Sequence, residues 1–163
     1  MSQAIKHCRF AGRIVIIGFG SIGQGTLPLI LRHVEVDPRK ITIVTAEDRG
    51  HAEAKELGIR FVVEPLTREN YRRVLEPLLG KGDFLLNVSV DVSSIALIEL
   101  CHERGALYLD TCIEPWPGGY TDPNISPSLR SNYALREQAL ALRARQKAGA
   151  PTALLTHGAN PGL

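Results

Sequence analysis

Short, unbroken apolar runs recur along the chain, and between them apolar residues return at helical spacing. The runs are Arg13 to Ile17, Ile41 to Thr45, Arg60 to Val63, Phe84 to Val88, Ala106 to Asp110 and Thr152 to Thr156. Each is rich in Val, Ile, Leu or aromatic residues, the pattern of strands buried on both faces. The helix-period segments are Ser21 to His33, Arg49 to Leu57, Arg68 to Leu79, Ser93 to Arg104 and Pro127 to Ala148. Strand and helix alternate throughout, which predicts a parallel sheet with crossover helices. Local stops agree: Ser126 and Pro127 suit a helix start, Gly149 and Pro151 its end, and Gly58 and Gly105 follow two other helices as left-handed terminators. Pro28 lies inside the first helix and predicts a kink or early break, while Pro77 weakens the end of the third.

The turn after the first strand narrows the fold class. "RIVIIGFGSIGQG" sets Gly18, Gly20 and Gly23 in G-x-G-x-x-G order between an apolar strand and a helix. Gly18 permits the tight turn, Gly20 lets backbone approach a pyrophosphate, and Gly23 allows close helix–strand packing, while free N–H groups at Ser21 and Ile22 favour phosphate oxygens. The expectation is therefore α/β: a Rossmann-type doubly wound parallel sheet of about six strands with helices on both faces. The second strand ends in "ITIVTAEDR", where Glu47 or Asp48 could accept hydrogen bonds from an adenosine ribose, or simply begin the next helix with charge suited to its dipole. A carboxylate there repels a 2′-phosphate, so NAD is favoured over NADP, although Arg49 follows at once and offers that phosphate a partner.

Ligands of open parallel sheets lie outside the carboxyl ends of the strands. After the fourth strand comes "NVSVDVSS", after the fifth "DTCIEPWPGGYTD" and after the last "THGANPGL". Asn87 and Ser89, with Asp110 and Thr111 on the fifth strand's end, are candidates for the cofactor's ribose and nicotinamide, whereas Asp91 and Ser93 read first as helix caps. Two prolines and two glycines hold Trp116 in a non-regular path. Trp116 could face a cationic substrate with its π surface while Glu114 pairs charge or moves a proton, or it could pack beneath the loop as a satellite of the core. Asn160, before Pro161, aims back toward the strand ends and is preferred over His157 as a polar contact.

Composition removes other classes. With 19 basic and 17 acidic residues, charge gives no reason to expect nucleic acid or an anionic membrane as partner. The apolar runs are far shorter than a membrane span, and the start of the chain lacks a secretory signal, so a cytoplasmic protein is expected. Three cysteines without a CxxC pair and five histidines without ligand spacing suggest neither a disulfide framework nor a metal site. Cys112 has no basic neighbourhood in sequence and reads as structural.

On "GFGSIGQGTLPLI", "NVSVDVSS", "YLDTCIEPWPGGY" and "THGANPGL" the chain resembles the bacterial homospermidine synthases, of the saccharopine dehydrogenase-like group. The glycine turn is shared widely; the Glu-Pro-Trp loop and the His-Gly-Ala-Asn-Pro-Gly turn are much more specific. The resemblance implies a transferase of polyamine biosynthesis with NAD as a recycled redox partner. Putrescine gives hydride to NAD, a second putrescine displaces ammonia from the imine, and the hydride returns to yield homospermidine. It further implies Glu114 for substrate binding or proton transfer, Asn160 as a polar contact, no metal, and a homodimer. Family members are considerably longer, so residues 1–163 are expected to form one NAD-binding domain at the amino-terminal end of a longer enzyme. A saccharopine dehydrogenase-like NAD(P)-linked oxidoreductase, or a non-catalytic NAD-binding module, are the competing readings.

Overall fold

The computed structural model describes residues 5–155. Its strands are β1 (Cys8–Arg9), β2 (Ile14–Ile17), β3 (Val34–Glu35), β4 (Ile41–Thr45), β5 (Arg60–Val63), β6 (Phe84–Asn87), β7 (Leu107–Asp110) and β8 (Ala153–Leu155). The helices are α1 (Ser21–His33), α2 (His51–Glu56), α3 (Tyr71–Leu75), α4 (Ser94–Arg104) and α5 (Asn132–Ala144). Six strands form one sheet in the order β5-β4-β2-β6-β7-β8, every pair parallel. The chain therefore winds outward from β2 in one direction and then, after β5, crosses back to wind in the other. That order is the doubly wound Rossmann arrangement predicted from the alternation.

Strand β2 shows why. All four of its residues are buried, and the two-residue period sends Ile14 and Ile16 to one face, Val15 and Ile17 to the other. Ile14 and Ile16 join Leu27 of α1 and Ala54 of α2 in one apolar cluster. Val15 and Ile17 join Tyr71 and Leu75 of α3, Leu97 and Ile98 of α4 and Leu142 of α5 in the other. Helices thus cover both faces of the sheet.

Several boundaries differ from the sequence pattern. Helix α1 runs unbroken through Pro28 to His33. Proline removes a single bond, that to the Gln24 carbonyl, and packing of Leu27 and Ile30 on the core carries the helix past it. Pro77 acts as expected, since α3 gives way at Glu76 to a 3-10 turn over Glu76–Leu78. Ser126 and Pro127 open only a 3-10 turn, Pro127–Leu129; the helix itself starts after Ser131, whose hydroxyl accepts the Ala134 N–H at 3.3 Å. It ends at Ala144, ahead of the expected Ala148. Gly58 and Gly105 take the predicted left-handed φ, 69° and 73°. The short parallel pair β1–β3 has no periodic signature.

At the opposite end of the sheet from the glycine turn, Asp83 ties β6 to β2. Its carboxylate accepts the Arg13 N–H at 2.7 Å, the Gly80 N–H at 2.8 Å and the Arg13 Nε at 2.9 Å. The residue is 6% exposed. Asp83→Ala would leave two backbone donors without their acceptor, and unfolding in urea should show a loss of about 2–4 kcal/mol.

Candidate functional site

The turn following β2 and the loop following β6 meet where the strand order diverges. Gly18 has φ +84°, and a Cβ built on it would lie 2.9 Å from the backbone of Ser89. Only glycine allows both the conformation and the approach. Gly23 is buried and packs at the same turn, a built Cβ meeting the Gly18 carbonyl at 2.8 Å. Gly20 is the contrary case: a Cβ there would meet nothing within 4 Å. It caps α1 without any side-chain hydrogen bond, and the first turn of the helix holds no acidic residue. The N–H groups at Ser21 and Ile22 are therefore free of a capping oxygen, with α1's positive dipole end behind them.

A cleft of about 530 Å³ opens beside this turn. Gly18 and Gly20 border it, with Thr45 at the end of β4 and Glu47 after it, Pro65 and Leu66 after β5, Ser89 and Asp91 after β6, and Pro117 from the loop after β7. The contribution from beyond β5 was not foreseen in the sequence, although the rule that ligands gather at strand carboxyl ends applies to β5 as well.

The two acidic candidates separate. Glu47 lines the cleft and lies 3.5 Å from the Arg49 guanidinium, both side chains largely solvated. Asp48 turns toward α2, where its carboxylate meets His51 Nδ1 at 2.8 Å. Asp48 thus takes the helix-start role that the sequence left open for one of the pair. The loop after β6 divides in the same way. Ser93 caps α4 through the Ala96 N–H, whereas Asp91 holds φ +60°, the sole positive φ on a non-glycine among the described residues, and borders the cleft. Backbone strain of this kind collects at functional sites.

Asn87 and Asp110 lie beneath the cleft rather than in its lining. They are 1% and 0% exposed. The Asn87 Oδ1 accepts both the Ser89 hydroxyl, at 2.6 Å, and the Ser89 N–H, at 3.2 Å. Asp110 accepts the Tyr108 phenol at 2.9 Å. Of the two it is Ser89 that reaches the cleft. Thr111 is half-buried at the start of the next loop.

In that loop Glu114 is half-buried, its N–H bonded to the Ser94 hydroxyl at 3.0 Å and its carbonyl to the Ser94 N–H at 2.9 Å. Desolvation raises the Glu114 pKa above the usual carboxylate range; the Asp91 and Asp110 charges add to the rise, while hydrogen bonds from the Cys112 thiol and the Asp91 backbone oppose it. Two other carboxylates, Asp91 and Asp110, thereby act on Glu114. Burial, then the hydrogen bond to Glu114, pushes the Cys112 thiol up to about 11, so it is no thiolate at neutral pH. Trp116 is half-buried and tilts on the Tyr71 ring at 5.3 Å and 58°, against the cluster beneath α3 and α4. Pro117 is the member of this loop that reaches the cleft. Asn160 and His157 lie outside the described residues. Among the described residues no helix is long and apolar enough to cross a membrane.

A glycine turn bordering open space at the switch point of a doubly wound sheet defines a dinucleotide-binding domain. The profile of the saccharopine dehydrogenase NADP-binding domain matches residues 14–154, and the chain belongs to that family. It is 51% identical over 158 residues to homospermidine synthase of Blastochloris viridis, covering 95% of this chain and 33% of that protein. It is 46% identical over 155 residues to homospermidine synthase of Mesorhizobium japonicum, covering 93% and 32%. The fold matches the crystal structure of Legionella pneumophila homospermidine synthase in complex with NAD with a TM-score of 0.78 and 40% identity, over 94% of this chain and 31% of that one. The chain spans about a third of the length of these relatives.

The raised Glu114 pKa carries a sign for stability. A carboxyl with a higher pKa folded than unfolded stabilises fully below its unfolded value, about 4.3, and loses that contribution as pH rises through the folded value. Glu114→Gln removes the charge while keeping an acceptor oxygen. Melting temperatures should therefore match the parent near pH 4 and exceed it at pH 7; a variant that melts lower at neutral pH would show that the charge is favourable where it sits.

Proposed function

We propose that this chain is the NAD-binding domain of a homospermidine synthase, a longer enzyme that moves an aminobutyl group from one putrescine to another with release of ammonia. The observation that carries this reading is the cleft itself, where an uncapped helix start beside open space at Gly20 lies on the same rim of the sheet as Glu114. The named relatives support it. The reading takes the whole protein as a cytoplasmic homodimer.

The residues present fit a dinucleotide. Gly18, Gly20, Ser21 and Ile22 would hold the diphosphate through main-chain amides, Gly23 keeping the helix close. Glu47 would accept the adenosine ribose hydroxyls, and Ser89 would border the nicotinamide half. Bound there, NAD would take a hydride from the diamine and later return one. The chain's own side chains do the rest. Before hydride can leave a carbon bearing nitrogen, that ammonium must lose a proton, and a carboxylate with elevated proton affinity such as Glu114 is matched to accept it. Asp91 and Glu114 together offer negative charge to a cationic amine, whose binding would relieve their repulsion. Trp116, seated on Tyr71, would fix the loop that carries Glu114, and Asn160 would add a polar contact.

The test uses the full-length protein with putrescine and NAD, and the expected result is homospermidine and ammonia without net NADH. Accumulating NADH, with preference for carboxylate-bearing substrates, would instead identify a dehydrogenase, and absence of NAD binding would overturn both. Gly20→Val should weaken NAD by an order of magnitude or more, roughly 1.4 kcal/mol at least, because a branched side chain occupies the approach to the turn. Glu47→Ala should weaken NAD about tenfold, the range of a hydrogen bond to a charged group, and should narrow the preference over NADP by releasing Arg49. Asp48→Ala should leave NAD affinity unchanged. Titration calorimetry with both nucleotides separates these outcomes.

A further inference from the structure

Four polar side chains are shut beneath the cleft, on the face of the sheet covered by α4. Asn87 ends β6 and stands in register with Asp110, which ends β7; Tyr108 precedes Asp110 by two residues and so shares its face. Ser94 closes the group from the first turn of α4. Tyr108 is 2% exposed and Ser94 0%, so with Asn87 and Asp110 the whole group is withdrawn from water. The Asn87 Nδ2 donates to the Tyr108 hydroxyl at 3.4 Å, and that hydroxyl donates to the Asp110 Oδ2 at 2.9 Å. The nearby Ser94 hydroxyl opposes the upward pull on the phenol's pKa. A buried polar group of this size is unfavourable unless its members satisfy one another, and it then rigidifies what it touches.

What it touches is specific. On one side Asn87 grips both the N–H and the hydroxyl of Ser89, the residue against Gly18. On the other, Ser94 grips both backbone groups of Glu114, with its hydroxyl 3.5 Å from the Cys112 carbonyl. Two loops that border the site from different strands are therefore anchored to one rigid centre. We infer that Tyr108 and Asp110 are positioning residues that fix Glu114 relative to the nucleotide-side loop, so that they act on the reaction through Glu114 without touching substrate or cofactor. The inference rests on the role proposed for Glu114. Among the described residues, the charged and titratable groups that face Glu114 are Asp91 from the loop after β6, Asp110 from the end of β7, and Cys112 and Tyr120 from its own loop. Burial and the Asp110 charge hold the Tyr108 phenol proton well above its ordinary range, so it remains a donor throughout the working pH.

Tyr108→Phe in the full-length enzyme deletes one hydroxyl and leaves the Asn87–Ser89 bonds in place. Its kcat should fall about tenfold to a hundredfold, the scale set by misplacing a reacting group, with NAD affinity within about twofold of the parent. Added to Glu114→Gln, the same substitution should lower kcat no further, since both remove one unit. Unchanged kcat well below the melting temperature, or losses that multiply in the double variant, would overturn the inference and leave a merely structural group. A second measurement needs no turnover. Cys112 lies between Asp110 and Glu114, and its alkylation, followed site by site by peptide mass spectrometry, should show a midpoint near 11. Asp110→Asn should lower that midpoint. If it stays, the coupling of Asp110 to this loop is absent whether or not the enzyme makes homospermidine; if it moves while no homospermidine forms, the coupling stands and the functional reading falls.

Discussion

The site depends on one contact, the backbone of Ser89 lying where a side chain on Gly18 would be. It joins the turn after the first long strand to the loop after its neighbour in the sheet, across the point where the chain reverses its winding. Were the two loops held apart by a single methylene, the cleft would lose a wall and Asn87 its hold on Ser89. The φ of +84° at Gly18 and the closeness of Ser89 are satisfied together by one residue type. Such a position admits no gradual substitution.

Around that contact, backbone and side chains divide the work. The glycine turn presents main-chain amides and carries no charged residue. Charge enters the cleft from the loops after β4, β5 and β6, as Glu47, Arg49, Glu64 and Asp91, with Glu114 after β7 on the same rim. Keeping Glu114 in the field of Asp91 and Asp110 opposes folding, and the strain at Asp91 adds to that opposition. A fold selected for stability alone would replace one of the three. The arrangement makes sense where a cation, such as the amine of the proposed substrate, completes it.

Much of this was legible in the chain. Unbroken apolar strands separated by helical periods predict a parallel sheet because each strand is buried on both faces, and the glycine spacing has meaning only between a strand and a helix; both conditions hold for β2 and α1. The pair β1–β3 was not legible, since two residues a side carry no period. Nor was the split start of α5, where Ser126-Pro127 and Ser131 are both sound helix openings and only packing chooses between them. Asn87 and Asp110 were read as cofactor contacts from their place at strand ends. Strand parity places Asn87 with Leu85, and Asp110 with Tyr108, on the α4-covered face, and the structure finds both buried there. Trp116 was ambiguous for a deeper reason. A proline-bound indole can be anchor or ligand contact, and its packing on Tyr71, a partner 45 positions earlier, is a proximity no local pattern reveals.

A doubly wound sheet with a glycine turn serves many reactions, so the fold assigns none of them. What distinguishes this chain lies one layer down, in how the loop after β7 is fastened. An ordinary crossover helix needs one capping residue, and Ser93 supplies it for α4. Ser94, the next residue, is not required for the helix; its N–H and hydroxyl are both turned to the Glu114 backbone, and it is buried beside a tyrosine–aspartate pair that hydrophobic residues could have replaced. A loop fastened twice to a buried polar centre is held more firmly than packing on Tyr71 alone would hold it. That firmness suits the role proposed for Glu114, a carboxylate that meets a substrate amine beside a nicotinamide.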